Sequence, residues 1–264
     1  MIGTPSTRDS PPQWLLLDTS AAVPATEILR QVFAQARWFW LFEGTEWQAQ
    51  KTHGPVLVDL MSCPVLTDLC DVDGQRWRGL LMVSDVSVAR LLAHLRRMLT
   101  VTFGLHRAML SYYNPNTASY FFDACDAAEL SRWLGPISQI RWFGGTWADR
   151  AMGCEGWQCL HNPGLAVRPL AIEEDLSAGQ QGKLQTCLLE QYAWRWSRAT
   201  SIEYRDLWAK LQEGLALGFS QRAVLDDWLT LRLQHPDAVS VQPLTGRTQQ
   251  ERLDHLRRLW QRDQ

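Results

Sequence analysis

The sequence predicts an α+β protein, with a mixed α/β N-terminal lobe that has a central sheet and flanking helices, and a small all-helical C-terminal lobe. Two observations predict this class. Up to about residue 150, short apolar runs bounded by turn residues alternate with amphipathic helical patterns, whereas after residue 182 only helical spacing remains. The predicted organisation is a disordered tail (1–13), an α/β lobe (14–150), a loop-rich connector (151–182) and a helical lobe (183–264).

The composition is that of a globular protein. Hydrophobic residues make up 46% of the 264 residues, and 26 basic against 28 acidic side chains give a formal charge of −2. This balance argues against a strongly basic nucleic-acid binder. No segment approaches the roughly 18 apolar residues of a membrane span, and the first residues lack the apolar stretch of a signal peptide. We therefore expect a cytoplasmic protein with no nucleic-acid partner, no membrane span and six free thiols.

Apolar runs next to turn residues predict the strands. They lie at Trp38–Phe42, Val56–Leu60, Trp77–Val83, Arg107–Tyr113 and Ile140–Phe143, the last strand of the lobe. The run at Trp38 is continuously apolar and aromatic, which is typical of a strand buried on both faces.

Helical spacing and capping residues predict the helices. One helix follows Thr26 and runs to Ala36, and the clearest one runs from Val88 to Leu99 with Ser84 and Asp85 as possible caps. Capping boxes are indicated at Asp126–Glu129 and Thr248–Glu251.

No familiar catalytic motif is present. Cys154, Cys159 and His161 are the best metal candidates, but a fourth ligand is not evident. Asp68, Asp71 and Asp73 lack the glutamate that would end a calcium loop, so we interpret them as a solvated acidic turn. Arg90, Arg96 and Arg97 are expected to form a solvated helix face, with Arg96 at its edge.

A scaffold without visible catalytic chemistry favours a binding protein. The chain has 14 tryptophans, a residue type enriched at protein interfaces. Trp194 lies on a different helical face from the stripe that contains Trp196, and is surplus to a small helical core. We expect a partner-binding groove formed by Trp194, Trp196, Trp208 and Trp228.

Six short motifs follow one another along the first lobe. They are Leu15-Leu16-Leu17-Asp18, Leu41-Phe42-Glu43-Gly44-Thr45, Gly54-Pro55-Val56-Leu57-Val58-Asp59-Leu60, His94-Leu95-Arg96-Arg97-Met98-Leu99, Tyr112-Tyr113-Asn114-Pro115 and Gly135-Pro136-Ile137. In order and spacing they resemble the effector chaperones, or adaptors, of bacterial type VI secretion (Tap/Tec-like), whose domain was first catalogued as one of unknown function. The helical remainder resembles the variable C-terminal lobe of that family.

Structural roles are expected for Asp18, Glu43, Gly44, Gly54, Pro55, Arg96, Arg97, Asn114 and Pro115. The glycines and Pro55 would shape turns, and Glu43 would cap the next helix or pair with an arginine of the Arg96-Arg97 helix. The family pattern usually has an acidic residue before the later proline and an arginine shortly after it. Asn114 and Asn116 stand there instead, so such an ion pair is lost while the turn chemistry of Asn-Pro survives.

The resemblance implies a cytoplasmic, non-catalytic protein without a cofactor. It would bind a cognate type VI effector and help to place it on the VgrG spike protein, sometimes with a PAAR-type tip. Two alternatives stay open: an immunity-like protein that blocks a toxin, and an enzyme with a thiol or metal centre near Cys154, Cys159 and His161.

Overall fold

The computed structural model describes residues 10–19, 36–239 and 244–262. The helix predicted after Thr26 lies outside these residues, except for Ala36. The chain divides into two compact units, Met1–Leu188 and Leu189–Gln264. The first contains antiparallel sheet and the second is helical, so the predicted α+β class is confirmed.

Nine strands occur in the described part of the first unit. They are β1 (Trp14–Leu17), β2 (Trp38–Trp40), β3 (Val56–Asp59), β4 (Gly79–Val83), β5 (Thr100–Phe103), β6 (His106–Met109), β7 (Gln139–Gly144), β8 (Gly156–His161) and β9 (Glu174–Asp175). Six form an antiparallel sheet in the order β2-β3-β1-β4-β7-β8, and a smaller sheet has the order β6-β5-β9. In the smaller sheet β9 pairs parallel to β5.

Side chains of the central strands alternate between the two faces of the large sheet. Leu15 and Leu17 belong to one apolar cluster, whereas Leu16 belongs to the other. Because both faces are covered, β3 up to Val58 and β4 are continuous apolar runs rather than alternating ones. This confirms the strands predicted at residues 56–60 and 77–83, each with a shorter extent.

The aromatic run at Trp38 gives a shorter and more exposed strand than predicted. β2 ends at Trp40, lies at an edge of the sheet and is half-buried throughout. The prediction of a strand over Trp38–Phe42 that is buried on both faces is therefore wrong. Leu41 and Phe42 leave the strand and enter the core beside it.

Five α-helices accompany the sheets in the described residues. They are α1 (Val65–Val72), α2 (Val88–Arg97), α3 (Pro115–Phe121), α4 (Ala127–Leu134) and α5 (Trp147–Met152). The helix predicted from Val88 and the capping box at Asp126–Glu129 are confirmed. The caps predicted for α2 are wrong: the helix begins after Ser87, and the Ser84 hydroxyl instead donates to the carbonyl oxygen of Pro136 at 2.8 Å.

The segment predicted as a loop-rich connector contains a strand of the large sheet. β8 pairs with β7 along six residues, so the strand predicted at Ile140–Phe143 is not the last. As an edge strand, β8 has mixed exposure and gives no clear period in the sequence. The extended segment that follows β8 is fixed at both ends. At its start the Asn162 amide donates to the carbonyl oxygens of Gly135 and Ile137 at 3.0 Å, and at its end β9 pairs with β5.

Four helices form the C-terminal part of the described chain. They are α6 (Ala178–Thr200), α7 (Tyr204–Ala216), α8 (Arg222–Gln234) and α9 (Gln249–Arg262), and the boundary between the two units falls inside α6. The capping box predicted at Thr248–Glu251 is confirmed at the start of α9. None of the helices in the described residues is long and apolar enough to span a bilayer.

Two helical glycines provide a matched test of packing in the helices. A Cβ atom at Gly214 would lie 2.4 Å from the Trp228 ring, whereas one at Gly182 would meet nothing within 4 Å. We expect Gly214→Ala to lower the free energy of unfolding by about 1–3 kcal/mol, because the indole is packed and must move. Gly182→Ala should raise it by about 0.5–1 kcal/mol, since alanine favours a helix. Urea unfolding followed by circular dichroism measures both, and equal effects would contradict the packing at Gly214.

Candidate functional site

The Asn-Pro motif begins α3 and connects it to the large sheet. Asn114 caps the helix, its side-chain oxygen accepting from the backbone N–H groups of Asn116 at 3.0 Å and Thr117 at 3.3 Å, and Pro115 occupies the first helical position. The Asn114 amide donates to the Asp18 carboxylate at 2.7 Å. Asn114 and Pro115 thus form the N-terminal cap of α3.

Asn116 is the centre of a buried polar cluster. It is fully buried, and its side-chain oxygen accepts from Arg78 at 2.6 Å and from Arg150 at 3.2 Å. Its amide donates to the carbonyl oxygen of Gly145 at 2.8 Å. Arg78 also lies 3.5 Å from the carboxylate of Glu155. In this chain, neutral asparagines thus occupy the place where the resemblance would put an ion pair, and they are satisfied by hydrogen bonds.

Keeping the Arg78 guanidinium charged in this buried cluster costs free energy. Burial lowers the pKa of Arg78, as does the nearby Arg150, while Glu155 and Asp18 act in the opposite direction. Buried charges need hydrogen-bonded partners to remain stable. We therefore interpret the cluster as a structural connection between α3, α5 and the residues that precede β4 and β8.

Arg96 connects α2 to the chain after β2. Its guanidinium donates to the carbonyl oxygens of Leu41 at 3.0 Å and Trp40 at 3.1 Å. Glu43 lies at the surface, with its carboxylate 3.5 Å from the ammonium group of Lys51. Both roles predicted for Glu43 are therefore wrong: Arg96 is bound by backbone oxygens, and the helical turn that follows Glu43 begins without a side-chain cap. Arg97 is exposed, as the solvated face predicts.

Of the motif glycines, Gly44 lies in a turn and Gly54 lies at a bend after a short helical turn. Gly44 has φ +71°, a conformation that glycine adopts without strain. Gly54 is extended but crowded, since a Cβ there would lie 2.3 Å from the ring of Phe42. The carbonyl oxygen of Pro55 accepts from the backbone N–H of Leu41 at 3.0 Å, so this turn positions the segment that Arg96 binds.

The cysteine and histidine candidates are only partly brought together. Cys159 and His161 lie on β8, with Sγ 3.9 Å from Nε2, and both are exposed. Within the described residues no group of three or more potential ligands could hold a metal ion. Elsewhere, burial raises the pKa of the Cys70 and Cys125 thiols to about 12, so both stay protonated and poorly nucleophilic at neutral pH.

The predicted tryptophan groove is partly wrong. Trp228 is fully buried among Phe219 and Trp260, and its indole N–H donates to the carbonyl oxygen of Lys210 at 2.8 Å. It is a core residue of the second unit and offers no surface to a partner. The sequence could not distinguish it from the others, because apolar stripes on all four helices have the same spacing.

The other three tryptophans of the prediction are half-buried. Trp194 and Trp196 lie on α6, and Trp208 lies on α7, where its ring stacks on that of Tyr204 with centroids 6.4 Å apart. Of these, Trp196 lines an open cavity.

We call this cavity the aromatic pocket; it has a volume of about 250 Å³. It is lined by Tyr192, Arg195, Trp196, Ala199, Thr200, Arg222 and Asp226. The Tyr192 hydroxyl and the Trp196 indole N–H both donate to one Asp226 carboxylate oxygen, at 2.7 Å and 3.2 Å. Burial is the main cause that raises the pKa of Tyr192, and its hydrogen bond to the negatively charged Asp226 raises it further. The phenol therefore stays protonated and donates the hydrogen bond that fixes the pocket wall.

One exposed apolar surface was not predicted from the sequence. Val65, Leu69 and Val72 lie on one side of α1 with 60%, 36% and 85% of their surface exposed, while Leu66 and Cys70 form the buried side. We call these three residues the apolar stripe. Five of the eight residues of α1 are apolar, a wider arc than one buried face needs, and this was the available signal.

Comparison with known proteins finds similarity to one family over part of the first unit. Residues 13–132 match the profile of a family described as a domain of unknown function (DUF4123). That family is associated with type VI secretion effector adaptors. The match runs from β1 into α4 and so contains the Asn-Pro motif, Arg96 and the apolar stripe. No curated protein and no solved structure gives a significant match.

Proposed function

We propose that this protein is a type VI secretion effector chaperone or adaptor. It binds a cognate toxic effector in the cytoplasm, promotes its loading onto the VgrG spike, and performs no catalysis of its own. The observation that carries this proposal is the match of residues 13–132 to a family associated with effector adaptors.

The apolar stripe supports a protein-binding role within the matched region. Exposed apolar side chains gathered on one helix face commonly mark an interaction surface. Fully burying one valine or leucine contributes about 1.5–3 kcal/mol, so covering the stripe would give a useful but reversible affinity. A chaperone needs such an affinity, because it must shield the effector from aggregation and later release it.

The aromatic pocket offers a second contact outside the matched region. Its walls combine aromatic rings with the polar groups of Arg222 and Asp226, a mixture typical of non-obligate interfaces. A family with a shared first lobe and different helical lobes could vary its effector specificity at such a position.

Co-purification tests the proposal directly. The tagged protein is expressed with the effector encoded beside it and with the spike protein, and capture of both is measured. Val65→Glu with Val72→Glu should reduce effector capture at least tenfold, because two carboxylates would be buried against an apolar partner surface. Leu105→Glu is the matched control, since Leu105 is 98% exposed and lies outside the stripe; it should leave capture unchanged.

Three outcomes would contradict the proposal. The wild-type protein could capture neither effector nor spike. Deletion of its gene could poison the producing cell instead of abolishing effector delivery, which would indicate an immunity protein. The purified protein could hold a stoichiometric metal and lose a turnover activity in Cys159→Ala, which would indicate an enzyme centred on Cys159 and His161.

A further inference from the structure

A cavity of about 490 Å³ in the first unit has a strongly positive lining. We call it the arginine cavity. One wall is a single face of α2 that presents Arg90, Ala93, His94 and Arg97. The other walls are the end of α4, which presents Arg132, and the extended segment after β8, which presents Arg168. No acidic side chain is among the lining residues that the structure describes.

The four arginines differ in how far their charge is balanced. Glu174 lies behind the cavity and is 1% exposed; its carboxylate accepts two hydrogen bonds from Arg168, one of them 2.8 Å long, and lies 3.3 Å from Nε of Arg132. This carboxylate holds the Arg168 guanidinium through hydrogen bonds and lies within ion-pair distance of Arg132, whose Nε makes no hydrogen bond to it. In the described part of the chain, neither Arg90 nor Arg97 has an ion pair with a carboxylate.

The histidine in the cavity adds no charge at neutral pH. Burial lowers the pKa of His94, and its Nε2 lies 2.9 Å from the carbonyl oxygen of Trp133, an arrangement that holds a neutral ring with a proton on that nitrogen. Arg132 and Arg168 share the single charge of Glu174, whereas Arg90 and Arg97 contribute their full charge to the positive excess of the cavity. Guanidinium groups bind carboxylates with well-defined geometry.

The mouth of the cavity also has apolar walls. Leu165 and Val167, on the extended segment, are 49% and 36% exposed. An occupant that matches both features carries negative charge and an aliphatic side chain. A polypeptide has both, whereas inorganic phosphate and nucleic acid lack the aliphatic part.

We propose that the arginine cavity binds a short acidic segment of the partner polypeptide. This inference rests on the proposed function and names the recognition element of the effector. Arg90 and Arg97 are two helical turns apart, about 10 Å along the axis. In an extended peptide of the polyproline II type, which has three residues per turn, residues three apart lie on the same side and about 9 Å from each other. The segment therefore has two carboxylates at that spacing, with an aliphatic side chain between them that packs against Leu165 and Val167.

A labelled peptide tests the inference. The probe is a fluorescein-tagged decapeptide with two glutamates three residues apart and a leucine between them, and the readout is fluorescence anisotropy with the full-length protein. Arg90→Gln with Arg97→Gln should weaken binding at least tenfold. Arg76→Gln with Arg198→Gln removes the same charge from exposed positions outside the cavity and should change it less than twofold.

A changed peptide and two competitors identify the chemistry of the ligand. Replacing both glutamates of the peptide with glutamine should weaken binding at least tenfold, and millimolar phosphate or a short single-stranded oligonucleotide should compete poorly. Equal binding of the glutamine peptide, or competition by phosphate or oligonucleotide at the peptide's own concentration, would overturn the inference.

Effector capture separates this inference from the proposed function. If the wild-type protein and the Arg90/Arg97 double variant capture the effector equally, the arginine cavity is not its binding site, although the chaperone role stands. If the wild-type protein captures no effector, the proposed function fails, and the inference fails with it.

Discussion

Replacing Asn116 with leucine is expected to lower the free energy of unfolding by about 3–5 kcal/mol. The substitution removes the acceptor for two arginines and the donor to Gly145. A lost hydrogen bond to a charged group costs about 1.5–3 kcal/mol, and a buried carbonyl left without a donor costs about 1–3 kcal/mol. Guanidinium chloride unfolding, followed by tryptophan fluorescence, measures the loss.

Two further variants show whether the acceptor role of Asn116 dominates. Asn116→Asp keeps the oxygen that Arg78 and Arg150 bind and loses only the amide that donates to the carbonyl oxygens of Gly145 and Thr146, so it should cost much less than leucine. Gln158→Leu makes the same polar-to-apolar change at a half-exposed position of β8 and should stay within about 0.5 kcal/mol of wild type. If Asp and Leu were equally harmful, the arginines would not depend on this side chain.

Gly79→Ala is expected to lower the free energy of unfolding at least as much as Asn116→Leu does. A Cβ atom at Gly79 would lie 2.3 Å from the carbonyl oxygen of Leu16 and 3.0 Å from Cα of Leu17. Both are backbone atoms of β1, which is held between β3 and β4, so neither can rotate away. The loss should therefore exceed the roughly 1–3 kcal/mol of ordinary overpacking, and the variant should accumulate mainly as insoluble protein.

The matched control for Gly79 is Gly156→Ala at the start of β8. A Cβ there would meet nothing within 4 Å, and this variant should remain soluble, with stability within about 0.5 kcal/mol of wild type. A soluble Gly79→Ala protein with an unchanged unfolding midpoint would show that β1 and β4 do not approach each other as closely as described.

Local signals predicted much of the fold. The run Val56–Leu60 and the helix from Val88 follow from periodicity alone, and the two capping boxes follow from residues three apart. These features depend on neighbours in the chain, which is why they could be predicted. The edge strand β8 has mixed exposure and no local period, and so it was missed.

The site depended on contacts between distant residues. Arg96 reaches carbonyl oxygens 55 and 56 positions away, and Arg78 reaches Asn116 across 38 positions. No single-sequence pattern indicates which of several arginines will be held by backbone oxygens. The burial of Trp228 could not be predicted for the same reason, since it depends on which helices pack around this residue.

The fixed ends of the segment between β8 and β9 have a thermodynamic consequence for recognition. A free loop loses conformational entropy when it orders against a ligand, at about 1–2 kcal/mol per residue for the backbone. Here the Asn162 amide and the Glu174 carboxylate restrain the loop before any ligand arrives. Association through Leu165 and Val167 therefore begins from a preorganised backbone, and less of the binding free energy is lost to ordering.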